Sequence, residues 1–125
     1  MVIYISHSTK FDYKKELYFP IRSGFKDSSH LFILPHEEGE GLYNSKELFF
    51  SKKCDLVIAE VSYPSTGQGI ELGWADSYDI SVACIHKKTS EPSNSLTTVS
   101  KKFLSYVDKE DMLGDIETII KAYEF

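Results

Sequence analysis

The sequence predicts an α/β fold in which about five parallel strands form a sheet covered by helices on both faces. Short apolar runs alternate along the chain with segments whose apolar residues recur at helical spacing. The run DLVIAEV at residues 55–61 is almost continuously apolar, without the alternation of a half-exposed strand. Alternating elements with such buried strands predict a three-layer sandwich of the Rossmann- or flavodoxin-like type.

The first half of the chain supplies two strands and two helices before that run. A β-branched and aromatic run predicts a strand at residues 2–6. Residues 11–19 are compatible with a helix, and Pro20 predicts a break or kink after it. The apolar run HLFIL predicts a second strand at residues 30–34, and residues 45–53 predict a short helix.

The second half continues the alternation. Residues 70–78 have helical spacing and residues 80–85 form another continuous apolar strand. The polar stretch 87–98 predicts an exposed loop or short helical piece, and residues 103–107 predict a fifth strand. Asp108, with a second aspartate three positions on, predicts the capped start of the last helix. At 125 residues, the chain (1–125) is expected to form one domain.

Composition limits the classes of partner. Fourteen Lys plus Arg against nineteen Asp plus Glu give a net charge of 14 − 19 = −5, which disfavours a nucleic acid polymer. No window approaches the roughly 20 apolar residues of a membrane helix, so we expect no membrane partner and a cytoplasmic protein. Cys54 and Cys84 lie in or beside apolar segments, without metal-binding spacing, and are predicted to be reduced core residues.

One loop carries the strongest chemical signal. Ligands of parallel α/β sheets bind beyond the carboxyl ends of the strands, and the loop PSTGQG at residues 64–69 lies at such an end. Gly67 and Gly69 remove side chains where a strand leads into a helix, so an anion can approach the backbone amides. The spacing matches neither a Walker loop nor the GxGxxG dinucleotide motif.

Glu71 follows these glycines directly. It has two interpretations: an exposed acid that complements the helix dipole, or a carboxylate nucleophile for an electron-poor carbon at the mouth of the sheet. Trp74 is predicted to belong to the core because its apolar neighbours recur at helical spacing. The acidic residues between the second strand and the second helix are predicted to form a solvated loop: Glu37, Glu38 and Glu40.

The segment AEVSYPSTGQGIELGWA at residues 59–75 resembles the nucleoside 2-deoxyribosyltransferase-like family, closest to its 2'-deoxynucleoside 5'-monophosphate N-glycosidases. The family pattern S-x-G-x-G-x-E-L-G falls on Ser65 to Gly73 without a gap, and the first strand adds Tyr4, Ser8 and Lys10. The resemblance implies that Glu71 attacks C1' of a nucleotide or nucleoside as in a retaining glycosidase. It also implies that Tyr4 orients the carboxylate.

Ser65 bears on the choice between nucleotide and nucleoside. Related transferases of free nucleosides carry a carboxylate at this position, which would repel a phosphate dianion, whereas a serine tolerates one. We therefore expect a 5'-phosphate pocket lined by Ser8, Ser65 and the amides near Gly67, with Lys10 at its edge. The resemblance further implies a serine from a neighbouring subunit, matched by Ser95 or the adjacent Asn94, and hence a homodimer or higher oligomer.

The second carboxylate of the family departs from its pattern here. The family has an aspartate that contacts the sugar and helps protonate the leaving base, whereas this chain has Glu47, one methylene longer. Glu47 is either this second catalytic carboxylate or an exposed helix residue. His36 is a candidate contact of the base. We expect no metal and no cofactor, because the histidines are scattered and glycosyl transfer through a carboxylate needs no metal.

The sequence thus predicts an N-glycosidase that releases the base from a (deoxy)nucleoside 5'-monophosphate. Two alternatives remain open: a nucleoside 2-deoxyribosyltransferase that exchanges bases, and a nucleotide-binding sensor without turnover. The sequence leaves open the base and the choice between ribose and deoxyribose.

Overall fold

The computed structural model describes residues 1–39 and 41–124. Within them, one parallel sheet has the strand order β2-β1-β3-β4-β5. The strands are β1 (Val2–His7), β2 (Leu31–Ile33), β3 (Leu56–Glu60), β4 (Ser81–Lys87) and β5 (Lys102–Tyr106). The predicted parallel α/β sheet is confirmed, and its strand order is the flavodoxin-like one.

Helices cover both faces of this sheet. They are α1 (Phe19–Gly24), α2 (Ser45–Phe50), α3 (Thr66–Ser77) and α4 (Lys109–Tyr123), with a 3₁₀ helix at Asn94–Thr98. On the first face, α1 and α4 bury residues such as Ile21 and Ile116 against the sheet. On the second face, α2 and α3 bury Phe49 and Leu72 against it. The chain is therefore the three-layer sandwich that the alternation of elements predicts.

The first helix differs from its prediction. A π-helical turn at Lys14–Tyr18 leads directly into α1, and the N–H of Phe19 bonds to the carbonyl of Lys14, five residues back. Pro20 lies in the first turn of α1, where its missing N–H costs little. The chain therefore remains helical to Gly24 instead of breaking at the proline, and the irregular turn precedes it.

Helix α3 begins four residues before its predicted start. Ser65 is the N-cap, and its hydroxyl oxygen accepts the N–H of Gln68 at 3.3 Å. The N–H of Gly69 donates to the carbonyl of Ser65 at 3.1 Å. Both glycines therefore lie in the first helical turn and not in a loop. The apolar spacing begins only after them, so periodicity alone placed the helix start too late.

Helix α2 ends earlier than predicted, at Phe50. Lys52 has a φ of 60°, a left-handed conformation that terminates a helix. The amino end is capped by Asn44, whose side chain accepts the N–H of Glu47 at 3.2 Å. This cap fixes where α2 starts and which of its residues point towards the sheet.

The two cysteines are buried and free, as predicted. Burial raises the pKa of both thiols, Cys54 and Cys84, to about 11, so neither is a reactive thiolate at neutral pH. No helix in residues 1–39 and 41–124 is long and apolar enough to cross a membrane. In the predicted acidic loop, Glu37 pairs with Arg22 at 2.7 Å, and Glu40 lies outside the described residues.

Strand order places the ligand-binding end of the sheet. The chain leaves β1 towards β2 on one side and returns to β3 on the other, so the order reverses between β1 and β3. In open α/β sheets, ligands bind at the carboxyl ends of the strands beside such a reversal. The segments that follow β1 and β3 therefore frame the candidate site.

Candidate active site

A cavity of about 790 Å³ opens at this end of the sheet. Its walls come from β1, from the segment between β2 and α2, from the start of α2 and from the first three turns of α3. The lining residues with chemical groups are Tyr4, His7, Thr9, His36, Tyr43, Asn44, Ser45, Lys46, Ser65, Gln68, Glu71 and Trp74. The volume lies in the range of pockets that hold small ligands.

Three elements converge on the carboxylate of Glu71, on α3. The hydroxyl of Tyr4, on β1, donates to Glu71 Oε2 at 2.8 Å. The hydroxyl of Ser45, at the start of α2, donates to the same oxygen at 2.6 Å. Within the part of the chain that the structure describes, no hydrogen bond reaches Oε1. The carboxylate is therefore held through one oxygen and has the other available.

Tyr4 is a rigid donor. It is 1% exposed and packs edge-to-face on Phe49, with ring centroids 5.4 Å apart, and against Tyr43 at 5.7 Å. Burial, and next the charge of Glu71, raise the pKa of Tyr4 well above its ordinary value. The phenol therefore keeps its proton and its hydrogen bond to Glu71 across the neutral and alkaline range.

The amino end of α3 forms a polar corner of the cavity. Ser65 and Gly67 line it. The N–H groups of Thr66 and Gly67 precede the first intrahelical bond, which is made by Gly69. Ser65 uses its oxygen as an acceptor for the cap, so its O–H proton is free to turn to a ligand. Gly69 has no amide to offer, because its N–H is bonded within the helix.

Both glycines leave their side of α3 open. A Cβ built on either Gly67 or Gly69 would meet no described atom within 4 Å. Packing within the chain therefore does not require glycine at these positions. Their absence of side chains instead keeps the approach to the amino end of α3 clear.

Ser8 and Lys10, which the sequence assigned to a phosphate pocket, lie beside the cavity and not in its wall. Ser8 is 1% exposed, and its hydroxyl oxygen accepts the N–H of Lys10 at 3.1 Å. Lys10 is exposed. In this segment it is Thr9 that lines the cavity. The hydrogen bond between Ser8 and Lys10 fixes a turn that places Thr9 at the cavity wall.

His36 lines the cavity next to a neutral histidine. The N–H of His36 donates to the hydroxyl of Tyr18 at 3.0 Å, and Tyr18 lies 2.5 Å from Nε2 of His7. Nδ1 of His7 is 2.8 Å from the carbonyl of Ser8, so Nδ1 carries the proton and Nε2 accepts from Tyr18. Burial lowers the pKa of His7 to about 4, which keeps the ring neutral.

The ring of His36 has spare bonding capacity. It lies edge-on to His7, with centroids 5.6 Å apart, and near Tyr13 at 5.8 Å. Its Nδ1 is buried and makes no hydrogen bond with any described residue. A buried polar atom of this kind is costly unless a ligand or water satisfies it.

Glu47, the predicted second carboxylate, is exposed and does not line the cavity. Ser45, two residues earlier, occupies the place beside Glu71. The sequence contains a signal for this residue: Phe49 is a large apolar residue in the predicted helix and is buried in the structure, and a residue four positions before it shares its helix face. Glu47, at about 200° around the helix from Ser45, points away.

Ser95 lies in a separate cavity of about 330 Å³ on the other side of Ser65. It does not line the cavity of Glu71 in its own chain. Trp74 packs against the core of the second face, as predicted, and it is half-buried because it also lines the cavity, with the ammonium of Lys46 5.6 Å from its ring centroid. Across the described ranges, no three His, Cys, Asp or Glu residues lie close enough to hold a metal ion.

Comparisons with known proteins find relatives for this chain. No family model matches it. A protein of Syntrophotalea carbinolica, named provisionally as 2'-deoxynucleoside 5'-phosphate N-hydrolase 1, is 26% identical over 85 residues, which cover 67% of this chain and 58% of the relative. The human 5-hydroxymethyl-dUMP N-hydrolase is 35% identical over 52 residues, which cover 42% of this chain and 30% of the relative. The matches thus span about half or less of each relative.

A solved structure shares the fold. The CMP N-glycosidase of Clostridium botulinum superposes with a TM-score of 0.64 and 20% identity, and the match covers 94% of this chain and 99% of that one. At this identity the likeness concerns the fold. The two sequence relatives are named as N-hydrolases of nucleotides, which supports the predicted resemblance, and the solved structure supports the predicted fold.

Proposed function

We propose that the protein hydrolyses the N-glycosidic bond of a (deoxy)nucleoside 5'-monophosphate, with Glu71 as the nucleophile. The observation that carries this proposal is the carboxylate itself. Two hydroxyl donors hold Oε2, at 2.8 and 2.6 Å, while Oε1 is left available in a cavity of nucleotide size. The named activities of the sequence relatives support the same bond as the target.

The reaction takes two displacements. Oε1 of Glu71 attacks C1', the C1'–N bond breaks, and its electron pair leaves with the base, which takes up a proton. Water then attacks C1' of the glycosyl-enzyme, the C1'–Oε1 pair returns to Glu71, and the water's second proton goes to solvent. The products are the free base and the sugar 5-phosphate, with the configuration at C1' retained.

The phosphate is placed at the amino end of α3. Ser65 offers a hydroxyl donor, and Thr66 and Gly67 offer N–H groups at the positive end of a 12-residue helix. Ser8 and Lys10 support this corner from its edge, and Gly69 keeps the approach open. His36 contacts the base. The role predicted for Glu47 would require its side chain to turn from solvent towards the cavity.

The active form is proposed to be a homodimer in the cytoplasm. Ser95 shares a second cavity with Ser65 and Thr66 and does not line the cavity of Glu71 in its own chain, so its predicted contact with the phosphate is proposed to come from a second copy. Leu42, which is fully exposed, and Ile70, which is half exposed, both line the cavity and present apolar surface for such a copy. Sedimentation velocity at micromolar concentration is expected to show a dimer, and Ser95→Ala is expected to weaken nucleotide binding.

The activity is tested with a panel of ribo- and deoxyribonucleoside 5'-monophosphates and the matching nucleosides. Chromatography is expected to show a free base from at least one nucleotide and less from its nucleoside. Glu71→Gln is expected to release none. Release by Glu71→Gln at the wild-type rate would refute the mechanism. New nucleoside formed faster than free sugar, with an acceptor base supplied, would indicate a transferase.

A binding protein without turnover is the second candidate, and the exposed Glu47 favours it. In that case calorimetry would show binding of a nucleotide that depends on its phosphate, with no base released over hours. The cavity and the amino end of α3 would then serve recognition alone.

A further inference from the structure

Ser45 was not among the residues that the family resemblance marks, yet it makes the shortest hydrogen bond to Glu71. The side chain is 1% exposed, so it meets the carboxylate without competition from bulk water. Its backbone is fixed as well: the N–H of Ser45 donates to the carbonyl of Tyr43 at 2.9 Å, and Asn44 caps the helix that begins here.

The hydrogen bonds around Oε2 account for all of its acceptor capacity. A carboxylate oxygen presents two lone-pair directions. Tyr4 and Ser45 donate into both, from β1 and from α2. Two donors from different elements fix the rotation of the carboxylate, which one donor alone would leave free to swing. The fixed rotation decides which oxygen is presented to the cavity.

We infer that Ser45 is a positioning residue that, with Tyr4, holds Glu71 so that Oε1 is the attacking atom. This inference rests on the proposed function. Formation of the C1'–Oε1 bond turns Oε2 into an ester carbonyl oxygen, which still accepts both hydroxyls. When water breaks that bond, the same two donors stabilise the returning negative charge. Ser45 therefore acts in both displacements through Glu71.

Position on α2 excludes Glu47 from the same task in this conformation. Phe49 packs on Tyr4, at 5.4 Å between ring centroids, and this contact sets the rotation of the helix. Ser45 lies on the same buried face of α2 as Phe49, whereas Glu47 is exposed. A hydroxyl thus stands beside the nucleophile, and the nearest carboxylate of the same helix faces solvent.

The test compares Ser45→Ala, Ser45→Thr and a matched control, Ser51→Ala. Ser51 lies at the other end of α2, and its hydroxyl donates to the carbonyl of Leu48. Loss of one hydrogen bond to a charged group is expected to lower kcat about 10- to 100-fold in Ser45→Ala. KM should stay within about twofold, because the lost interaction orients the nucleophile and does not bind substrate. Ser45→Thr should recover most of the loss, and Ser51→Ala should resemble wild type.

Other outcomes would contradict a positioning role for Ser45. Wild-type kcat in Ser45→Ala, a rise in KM alone, or an equal loss in Ser51→Ala would overturn the inference. Thermal melts of all variants separate loss of kcat from loss of fold.

A readout without turnover keeps the inference separate from the proposed function. If wild type releases no base from any nucleotide, the proposed function fails, and the ¹³C chemical shift of the Glu71 carboxyl still reports its hydrogen bonds. That shift is expected to change in Ser45→Ala and to stay unchanged in Ser51→Ala. An unchanged shift in Ser45→Ala would refute the role of Ser45 independently of activity.

Discussion

Two carboxylates with similar partners lie on opposite faces of the same sheet. Glu71 accepts the hydroxyls of Tyr4 and Ser45 on the α2–α3 face. Glu60, at the end of β3, accepts the hydroxyl of Tyr106, and both the hydroxyl and the N–H of Ser62 at 2.8 Å. Each is thus held by a tyrosine and a serine, with no cation bonded to either among residues 1–39 and 41–124.

Access separates the two. Glu60 is 1% exposed and both of its oxygens are bonded, so it is closed to any ligand. Glu71 is partly exposed, lines the cavity and has one oxygen that receives no hydrogen bond from any described residue. The same partner chemistry therefore produces a structural anchor on one face and a candidate nucleophile on the other. What differs is whether the second oxygen is closed off or open.

Glu60 also supports the site from behind. Its backbone carbonyl accepts the side-chain amide of Gln68 at 2.9 Å, in the first turn of α3. Ser62, which binds the Glu60 carboxylate, also accepts the N–H of Lys87 at 2.7 Å. The closed carboxylate therefore ties the segment before α3 to β4 through Ser62, and the backbone of Glu60 helps place the helix that carries Glu71.

The largest expected effect is on activity, at the open carboxylate. Glu71→Gln removes the nucleophile, so base release should fall at least about a thousandfold, while the free energy of unfolding should change by less than about 1 kcal/mol. Steady-state assays and urea unfolding measure the two quantities. A loss of unfolding free energy well above about 1 kcal/mol, together with base release near the wild-type rate, would show that Glu71 is a structural residue like Glu60.

The closed carboxylate should respond in the opposite way. Glu60→Gln replaces one carboxylate oxygen, an acceptor, with an NH₂ group that would face the donor groups of Ser62 and Tyr106. This mismatch is expected to cost about 2 to 3 kcal/mol of unfolding free energy. The remaining folded protein should keep kcat within about threefold. Urea unfolding with a matched assay checks both values. Wild-type stability would contradict the anchoring role.

Acid provides a further test at His7, which is the register partner of Glu60 and also lines the cavity. The pKa of His7 is lowered to about 4, against ~6.5 in the unfolded chain. Between these values the unfolded chain binds a proton that the folded chain does not. The free energy of unfolding should therefore fall by up to roughly 3 kcal/mol as the pH drops from 6.5 to 4, and this contribution levels off below.

Urea unfolding at pH 7, 5.5 and 4.5 measures this slope. A His7→Gln variant serves as the reference, because it lacks the titrating ring, and it should show a flatter dependence on pH in this interval. The same slope in both proteins would assign the acid sensitivity to other groups.

The smallest expected effects come from removing one tyrosine hydroxyl from each face of the sheet. Tyr4→Phe removes a donor from Glu71 and should lower kcat about 10- to 100-fold, with a stability loss of about 1 kcal/mol or less. Tyr106→Phe removes a donor from a sealed carboxylate and should cost about 1 to 3 kcal/mol of unfolding free energy with little change in kcat. Equal effects of the two substitutions on kcat would erase the proposed difference between the faces.

Much of the fold was accessible from the sequence because it depends on periodicity. Continuous apolar runs predicted the strands, and helical spacing predicted most helices. Boundaries were missed where a single side chain or dihedral angle decides them. The Ser65 cap starts α3 early, and the positive φ of Lys52 ends α2 early.

The pattern of residues was enough to predict that Glu71 follows a glycine-rich turn at the ligand-binding end of a parallel sheet, and the family resemblance marked Tyr4 as its companion. The tertiary structure brought Ser45 to Glu71, turned Glu47 to solvent, and placed Trp74, which packs against the core as predicted, at the cavity wall as well. The physical reason is the rotation of α2 about its own axis. A residue on a short helix can face the site or the solvent, and the packing of Phe49 on Tyr4 selects between them.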